Sequence, residues 1–274
     1  MQIEASIAAV RAASAALAKP LGFVPTMGAL HRGHLALISA ARSECASTAV
    51  SIYVNPLQFG AGEDFERYPR DFESDHALLE GAGIDLLFAP TASAMLPNGY
   101  STHVDVGPIA HRYEGQSRPG HFRGVATVVA KLLEIMRPDV LYLGQKDAQQ
   151  TAIVRRMVRD LEFGIDVRIV PTVREFDGLA LSSRNAYLSE EERRDAPSLY
   201  AALQHLRQLL ENGIDKGSAI SQASKTLAGR GQLEYLDVVD DGSFEPLETL
   251  RPPAFIIGAA RFGATRLLDN LWIH

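Results

Sequence analysis

The chain has 274 residues, of which 46% are hydrophobic and 22% charged, and this balance is typical of a globular protein with a sizeable core. The formal net charge of −6 argues against a general binder of nucleic acid or anionic membranes, because such a protein needs a net basic face. The single cysteine, Cys45, excludes an intramolecular disulfide and a zinc site built from several cysteines. The sequence shows neither a secretory signal nor an apolar run of membrane-spanning length, so we expect a cytoplasmic protein.

The first part of the chain alternates helix and strand patterns, and its strands are almost wholly apolar. This alternation predicts a Rossmann-like parallel sheet covered by helices on both faces, with ligands at the carboxyl ends of the strands. The predicted strands cover residues 21–24, 48–54, 84–90, 102–107, 140–144 and 167–173, and the predicted helices cover 4–18, 34–44, 71–83, 125–139 and 147–162.

Beyond about residue 175 this alternation stops. Ser189 and Glu192 form a capping box, which predicts a helix that runs to about residue 213. A second helix follows, and then a strand and a paired set of strands with glycine breaks. We therefore expect a Rossmann-like domain over 1–176, a hinge or loop over 177–188 and a smaller α+β domain over 189–274.

Two histidines, His31 and His34, lie three residues apart directly after the predicted strand 21–24. At the start of a helix, both imidazoles would lie on one side of an N-terminus whose N–H groups and dipole attract phosphate. Gly28 would permit the turn, and Gly33 would permit close approach of a ligand. Two imidazole donors suit a reaction in which negative charge builds on a leaving pyrophosphate. On this stretch alone, a zinc pair or two surface histidines are the alternatives.

Two further clusters suit phosphate. Lys146 follows the predicted strand 140–144 and can hold phosphate oxygens, while Asp147 can accept from ribose hydroxyls or only cap the next helix. The stretch "LSSRN" places two hydroxyls and a guanidinium in one loop, a common way to bind phosphate, although a solvated loop would have the same composition. Three such clusters on one α/β chain favour a phosphate-binding protein.

The H-x-G-H motif, "HRGH", after the first predicted strand resembles the nucleotidylyltransferase superfamily. The chain is much more similar to one family within it, the pantothenate synthetases (pantoate–β-alanine ligases). The stretches that carry this resemblance follow the family's order between about residues 21 and 270: "GFVPTMGALHRGHLALI", "VNPLQFGAGEDFERYPR", "RPGHFRGVATVVAKLL", "YLGQKDAQQ", "PTVREFDGLALSSRNAYLS" and "ATRLLDN".

The resemblance implies a carbon–nitrogen ligase of pantothenate and coenzyme A biosynthesis. It would condense (R)-pantoate with β-alanine to pantothenate, and convert ATP to AMP and pyrophosphate through a pantoyl-adenylate intermediate. It implies ATP as substrate, Mg²⁺ as cofactor, a homodimer, and a C-terminal region that acts as a lid. The alternatives are a related nucleotidylyltransferase and a nucleotide-binding module without catalytic activity.

The resemblance also implies which residues act. His34 is the residue usually credited as proton donor, although electrostatic stabilisation by either histidine fits equally well. Lys146 and Arg184 join His31 and His34 in the catalytic set. Gln58 would contact both pantoate and β-alanine, and Gln150 would hold pantoate. The implied ATP contacts are Met27, Gly28, Ala29, Leu30, His31, Arg32, Gly33, His34, Gly144, Gln145, Lys146, Asp147, Val173, Leu181, Ser182, Ser183 and Arg184.

Some residues keep two interpretations. The basic stretch with Arg118, His121 and Arg123 either faces a pantoate carboxylate or belongs to a surface loop. Ala148 stands where the family commonly has an aromatic residue, which would loosen local packing without removing a ligand. The magnesium ligands are not assigned; the acidic candidates are Glu63, Asp64, Asp71 and Asp75.

Overall fold

The structure, a computed structural model, describes residues 1–60, 62–63 and 65–274. The chain forms two compact units: Met1–Gly144 with Ile153–Val170, and Gln145–Ala152 with Pro171–His274. The predicted hinge, 177–188, lies wholly within the second unit. The division into domains at 176 and 189 stays a prediction.

The first unit contains a six-stranded sheet in which all neighbouring strands are parallel. The strands are β1 (Gln2–Glu4), β2 (Leu21–Thr26), β3 (Ser47–Ile52), β4 (Leu86–Phe88), β5 (Val140–Gly144) and β6 (Asp166–Val170). Their order is β1-β4-β3-β2-β5-β6, so the winding reverses between β2 and β5. Ligands bind at such a reversal in open α/β sheets, outside the carboxyl ends of the strands.

Helices connect these strands. Their starts follow local chemistry, since Ser6, Asp71 and Thr91 each accept a hydrogen bond from a first-turn N–H. The helices are α1 (Ile7–Ala16), α2 (Arg32–Glu44), α3 (Phe72–Ala82), α4 (Ala92–Met95), α5 (Glu114–Ser117), α6 (His121–Met136) and α7 (Ala148–Asp160). The core lies between sheet and helices, where Val24, Val50 and Leu87 pack against Ile38 and Leu79.

The second unit contains an antiparallel sheet of three strands, β7 (Gln232–Asp240), β8 (Ala254–Phe262) and β9 (Thr265–Ile273). Its helices are α8 (Glu190–Asp195), α9 (Ser198–Glu211) and α10 (Lys216–Ser224). Leu203 and Leu206 of α9 lie in one buried cluster with Val238 and Ile256 of the sheet. The Rossmann-like parallel sheet and the smaller α+β region are both confirmed.

Three local predictions are wrong. Residues 102–106 form no strand; the Val104 N–H donates instead to the Thr127 hydroxyl at 2.9 Å, and a 3₁₀ helix follows at Gly107–His111. The helix predicted from Ser189 to 213 is broken at Pro197, whose ring nitrogen has no hydrogen to donate to the helix. The N-terminal helix is shorter than predicted, because Gln2–Glu4 pairs with β4 as an edge strand.

No helix in the described part of the chain is both long and apolar enough to cross a bilayer.

Candidate active site

The histidine pair forms the N-terminal cap of α2. His31 is the N-cap residue, and its Nδ1 accepts a hydrogen bond from the Gly33 N–H at 3.1 Å. His34 reaches back, and its Nδ1 accepts from the His31 N–H at 3.2 Å. This is the reciprocal pattern of a capping box, made here by two imidazoles whose ring centroids lie 4.1 Å apart.

The cap determines which nitrogen of each histidine carries the proton. An Nδ1 atom that accepts a hydrogen bond has no hydrogen, so each neutral ring is protonated at Nε2. The two Nε2–H groups are therefore hydrogen-bond donors at the positive end of a helix dipole. Such an arrangement can stabilise an anion, or charge that develops on one.

Asp75 of α3 shapes the loop that leads to the histidines. Its carboxylate accepts from the Ala29 N–H at 2.9 Å and from the Leu30 N–H at 2.7 Å. Gly28 has φ = +81°, and a Cβ there would lie 2.8 Å from Asp75 Oδ2. Burial raises the pKa of Asp75, and Asp71 acts in the same direction, while the two N–H donors oppose them. Asp75 therefore has a structural task in this loop, so the structure does not favour it as a magnesium ligand.

Gln58 follows β3 on a 3₁₀ turn, Pro56–Gln58. Its Oε1 accepts from Asn55 Nδ2 at 2.9 Å, and its Nε2 donates to Met27 Sδ at 3.2 Å. Asn55 is buried and also donates to the Gly124 carbonyl at 3.1 Å. The structure thus brings Gln58 to the loop that carries the histidine pair. Asn55 was missed from the sequence; a polar residue at the carboxyl end of a buried strand was the available signal.

Arg118 and His121 support the backbone of Gln58. Arg118 Nη2 and His121 Nδ1 both donate to the Gln58 carbonyl, at 3.2 and 2.8 Å. His121 Nε2 accepts from Arg118 Nη1 at 3.2 Å, so this ring is protonated at Nδ1. Burial, together with the nearby Arg118 charge, lowers the pKa of His121 to about 4. Arg118 and His121 thus hold the backbone of Gln58 in place.

The remaining acidic magnesium candidates are also engaged. Glu63 pairs with Arg118 through Nε at 3.0 Å and Nη2 at 2.5 Å. Burial tends to raise the pKa of Glu63, but Arg118 outweighs it and holds that pKa below its ordinary value. Asp71 caps α3, and Asp64 lies outside the described residues. Among the residues that the structure describes, no group of three or more His, Cys, Asp or Glu could hold a metal ion.

In the second unit, Lys146 lies on a 3₁₀ turn, Gln145–Asp147, directly after β5. Its Nζ is 3.2 Å from Asp147 Oδ1. Lys146 and Ser182 line the same recess, together with Tyr200 and Asp269. Two of the three clusters predicted to bind phosphate therefore meet in space.

Val173 and Leu181 are paired in a short hairpin, in which the Leu181 N–H donates to the Val173 carbonyl at 3.0 Å. Ser182 then caps a 3₁₀ helix, Ser183–Tyr187, by accepting from the Arg184 N–H at 3.2 Å. The "LSSRN" stretch is thus an ordered, capped turn. Its hydroxyls and guanidinium are only half-buried.

Gln150 is half-buried on the first turn of α7. Ala148, where the family commonly has an aromatic residue, is buried at the start of the same helix. Gly144 belongs to the first unit as the last residue of β5. Each unit therefore carries its own share of the predicted site: the histidine pair and Gln58 in the first, and Lys146, Gln150 and the 181–184 turn in the second.

A family model described as pantoate-beta-alanine ligase matches residues 2–272. The chain belongs to the pantoate-beta-alanine ligase family. The resemblance inferred from the sequence motifs is thereby confirmed. Members of this family are carbon–nitrogen ligases.

Individual members of the pantoate-beta-alanine ligase family are similar along nearly the whole chain. The pantothenate synthetase of Heliobacterium modesticaldum is 51% identical over 259 residues, which cover 93% of this chain and 92% of that protein. A crystal structure of pantothenate synthetase from Thermus thermophilus superposes with a TM-score of 0.94 at 50% identity, and covers 99% of both chains. A crystal structure of pantoate-beta-alanine ligase from Francisella tularensis, complexed with beta-gamma ATP and beta-alanine, superposes with a TM-score of 0.82 at 35% identity. The superposition covers 99% of this chain and 97% of that chain.

Proposed function

We propose that the chain condenses (R)-pantoate with β-alanine to form pantothenate, and converts ATP to AMP and pyrophosphate through a pantoyl adenylate. The observation that carries this proposal is the match of residues 2–272 to the family model. The complex of the Francisella tularensis relative with beta-gamma ATP and beta-alanine supports two of the substrates. The family match also argues against a binding module without catalytic activity or a different nucleotidylyltransferase.

In the first step, a carboxylate oxygen of pantoate attacks the α-phosphorus of ATP, and the bond from that phosphorus to the bridging oxygen breaks. Pyrophosphate leaves with the electron pair. We assign to His31 and His34 the donation of Nε2–H groups to the phosphate oxygens on which charge develops. Preorganised donors of this kind act most strongly in a site that excludes water, and one of them contributes roughly 3 kcal/mol to the barrier reduction.

Lys146, Ser182, Ser183 and Arg184 supply further donors in this proposal. Lys146 and Ser182 line one recess in the second unit, which supports a common ligand for these two residues. Lys146 and Arg184 bring the positive charge that a polyphosphate needs in a chain of net charge −6. The backbone of Val173 would meet the adenine base.

In the second step, the amine of β-alanine attacks the acyl carbon of the adenylate. The bond from that carbon to the phosphate oxygen breaks, AMP leaves with the oxygen, and the amine loses a proton. Gln58 would contact pantoate and β-alanine together, because its amide can donate to one ligand and accept from another. Gln150 would hold pantoate.

We propose that Mg²⁺ enters as part of MgATP. Mg²⁺ usually keeps several waters and binds through substrate phosphates with few protein ligands. The described residues offer no group of three or more His, Cys, Asp or Glu side chains that could hold a metal ion, so the proposal assigns no protein ligand to Mg²⁺. The remaining expectations, a homodimer, a cytoplasmic location and a lid formed by 189–274 with a hinge at 177–188, rest on the sequence and the resemblance alone.

The two steps can be separated experimentally. The protein is incubated with MgATP, pantoate is added first and β-alanine later, and pyrophosphate and AMP are measured independently. We expect pyrophosphate release that depends on pantoate, about one equivalent of retained adenylate per enzyme, and AMP release only after β-alanine is added. ATP binding without pantoate-dependent pyrophosphate would contradict the proposed function.

A further inference from the structure

Asn270 lies on β9, far along the chain from Lys146, and is 1% exposed. Its Nδ2 group donates to the Gln145 carbonyl at 2.9 Å and to the Lys146 carbonyl at 2.8 Å. Its Oδ1 accepts from Gln145 Nε2 at 3.1 Å. Both donor hydrogens of the Asn270 amide and one of its acceptor sites therefore bind the turn that carries Lys146.

The two carbonyls that Asn270 binds belong to the two peptide planes on either side of the Lys146 Cα atom. Each peptide unit is planar, so its carbonyl fixes the orientation of the whole unit. When both planes are fixed, φ and ψ of Lys146 are fixed as well, and with them the direction of its Cα–Cβ bond. Asn270 thus controls where the side chain of Lys146 starts.

Asn270 is itself held rigidly. Its N–H donates to Asp269 Oδ1 at 2.7 Å, and its carbonyl accepts from Arg174 Nη2 at 3.1 Å. Arg174 also binds Asp269 through two contacts, at 2.5 and 2.9 Å, and its guanidinium stacks 3.7 Å from the centre of the Tyr200 ring. A buried ion pair with further hydrogen bonds therefore fixes the backbone from which the Asn270 amide projects.

Asp269 also acts on Lys146 directly. Both residues line the recess that contains Ser182, and the Lys146 charge interacts with the Asp269 carboxylate. A substitution of Asp269 would change both this charge interaction and the orientation of the Lys146 turn. Asn270 is uncharged, so its substitution changes only the orientation of the turn.

We infer that Asn270 is a positioning residue for Lys146, and that it acts on the adenylation step by orienting that side chain toward the phosphates. This inference rests on the role proposed for Lys146 in the function above. A displacement of a catalytic group by about 1 Å can cost about a hundredfold in rate. Asn270→Ala is therefore expected to slow pantoate-dependent pyrophosphate formation by between about tenfold and a hundredfold.

A double-mutant cycle tests the inference. Single-turnover pyrophosphate formation is measured for the unchanged protein, Asn270→Ala, Lys146→Ala and the double variant. If Asn270 acts through Lys146, its removal matters little once the lysine is gone, so the double variant should lie within about threefold of Lys146→Ala. Leu271→Ala, which trims an apolar side chain of the same strand, serves as the matched control. Leu271→Ala should change the rate of pyrophosphate formation by the same factor in the unchanged protein and in Lys146→Ala.

The outcomes of this cycle distinguish the positioning role of Asn270 from the role proposed for Lys146. If Lys146→Ala is strongly impaired and the effects of Lys146→Ala and Asn270→Ala simply multiply, the positioning role of Asn270 is overturned while the proposed function stands. If Lys146→Ala keeps the full rate, the role of Lys146 is wrong and the inference falls with it. Should Asn270→Ala fail to fold in thermal denaturation, Asn270→Ser, which keeps one donor, replaces it in the same cycle and is judged by the same criterion.

Discussion

At the start of α2, two imidazoles take the places that a serine and a glutamate occupy in most capping boxes. The chemical consequence is larger than the structural one. By accepting backbone N–H groups at Nδ1, His31 and His34 leave their protons at Nε2, where each can be donated to a phosphate. Helix capping and the proposed catalysis thus use opposite sides of the same rings.

The two tasks of His34 can be separated by substitution. His34→Ala removes both the hydrogen bond that His34 accepts from the His31 N–H and the Nε2–H donor, and we expect it to slow pyrophosphate formation by about a hundredfold or more. The loss of this backbone hydrogen bond alone costs about 1 kcal/mol of stability, so thermal denaturation is measured in parallel.

His34→Gln is the matched variant, since glutamine at this helix position can restore the capping box and keep a neutral donor. If His34 donates a proton to a ligand, His34→Gln should be nearly as slow as His34→Ala. If it acts only through electrostatic stabilisation, His34→Gln should recover most of the rate. A loss of only a few-fold in His34→Ala would show that the residue has no catalytic role.

His121 predicts how stability depends on pH. In the unfolded chain this histidine binds a proton below about pH 6.5, whereas in the folded protein it stays neutral until about pH 4. The unfolded state therefore binds more protons in this window, and the free energy of unfolding falls as the pH is lowered from 6.5 to 4. The full effect is about 3 kcal/mol, at 1.36 kcal/mol for each pKa unit.

Urea unfolding at a series of pH values measures this effect. The charged groups that interact with His121 are Arg118, which disfavours its protonation, and Glu63 and Glu114, which favour it. His121→Gln should flatten the slope between pH 6.5 and 4.5, while His103→Gln, at an exposed position, should leave it unchanged. An unaltered slope in His121→Gln would mean that the ring is not kept neutral by its surroundings.

At the scale of elements, the approach of α6 to the turn at Pro56–Gln58 depends on one glycine. A Cβ at Gly124 would lie 2.1 Å from the Leu57 carbonyl oxygen, a distance that forces the turn or the helix to move. Gly124→Ala should therefore destabilise the protein and displace Gln58, which would raise KM for pantoate more than KM for ATP.

Gly81→Ala in α3 is the matched control, because a Cβ there meets nothing within 4 Å. Alanine in an open helical position should stabilise the protein by about 0.5–1 kcal/mol and leave both KM values unchanged. Thermal denaturation and steady-state kinetics on the two variants check this pair. Equal behaviour of Gly124→Ala and Gly81→Ala would refute the close approach as a requirement of the site.

The elements that sequence patterns predicted correctly are those with a strong local signal. The apolar runs of β2 and β5 mark strands that are buried on both faces. β1 was missed because its three residues, two of them polar, form no apolar run. They form a strand only because they pair with β4. The strand predicted at 102–107 was wrong: the Val104 N–H donates to a distant hydroxyl, that of Thr127, and not to a neighbouring strand.

The candidate site divides in the same way. The histidine pair and Lys146 could be picked out because their residue types and their positions after strands indicate phosphate chemistry. The residues that hold these groups in place could not be assigned that role from the sequence, because the role depends on contacts between distant parts of the chain. Asp75 binds the Ala29 and Leu30 amides, and Asn270 binds the turn that carries Lys146. Arg118 and His121 stand in a basic stretch of the sequence, but only the fold shows that they bind the Gln58 carbonyl.

For the whole molecule, the net charge of −6 opposes the approach of substrates that are themselves anions. In the proposed function, binding of ATP and pantoate therefore depends on local hydrogen-bond donors and positive groups. The first unit offers the imidazole pair and the amide of Gln58, and the second offers Lys146 and the capped turn at 182–184.

The transfer of oxygen from pantoate to AMP tests whether the reaction passes through a pantoyl adenylate. Pantoate labelled with ¹⁸O in both carboxylate oxygens is converted with MgATP and β-alanine, and the products are analysed by mass spectrometry. Attack of the carboxylate on the α-phosphorus predicts one ¹⁸O in the phosphoryl group of AMP and one in the amide carbonyl of pantothenate. Unlabelled AMP, with the isotope in pyrophosphate or orthophosphate, would contradict the adenylate route.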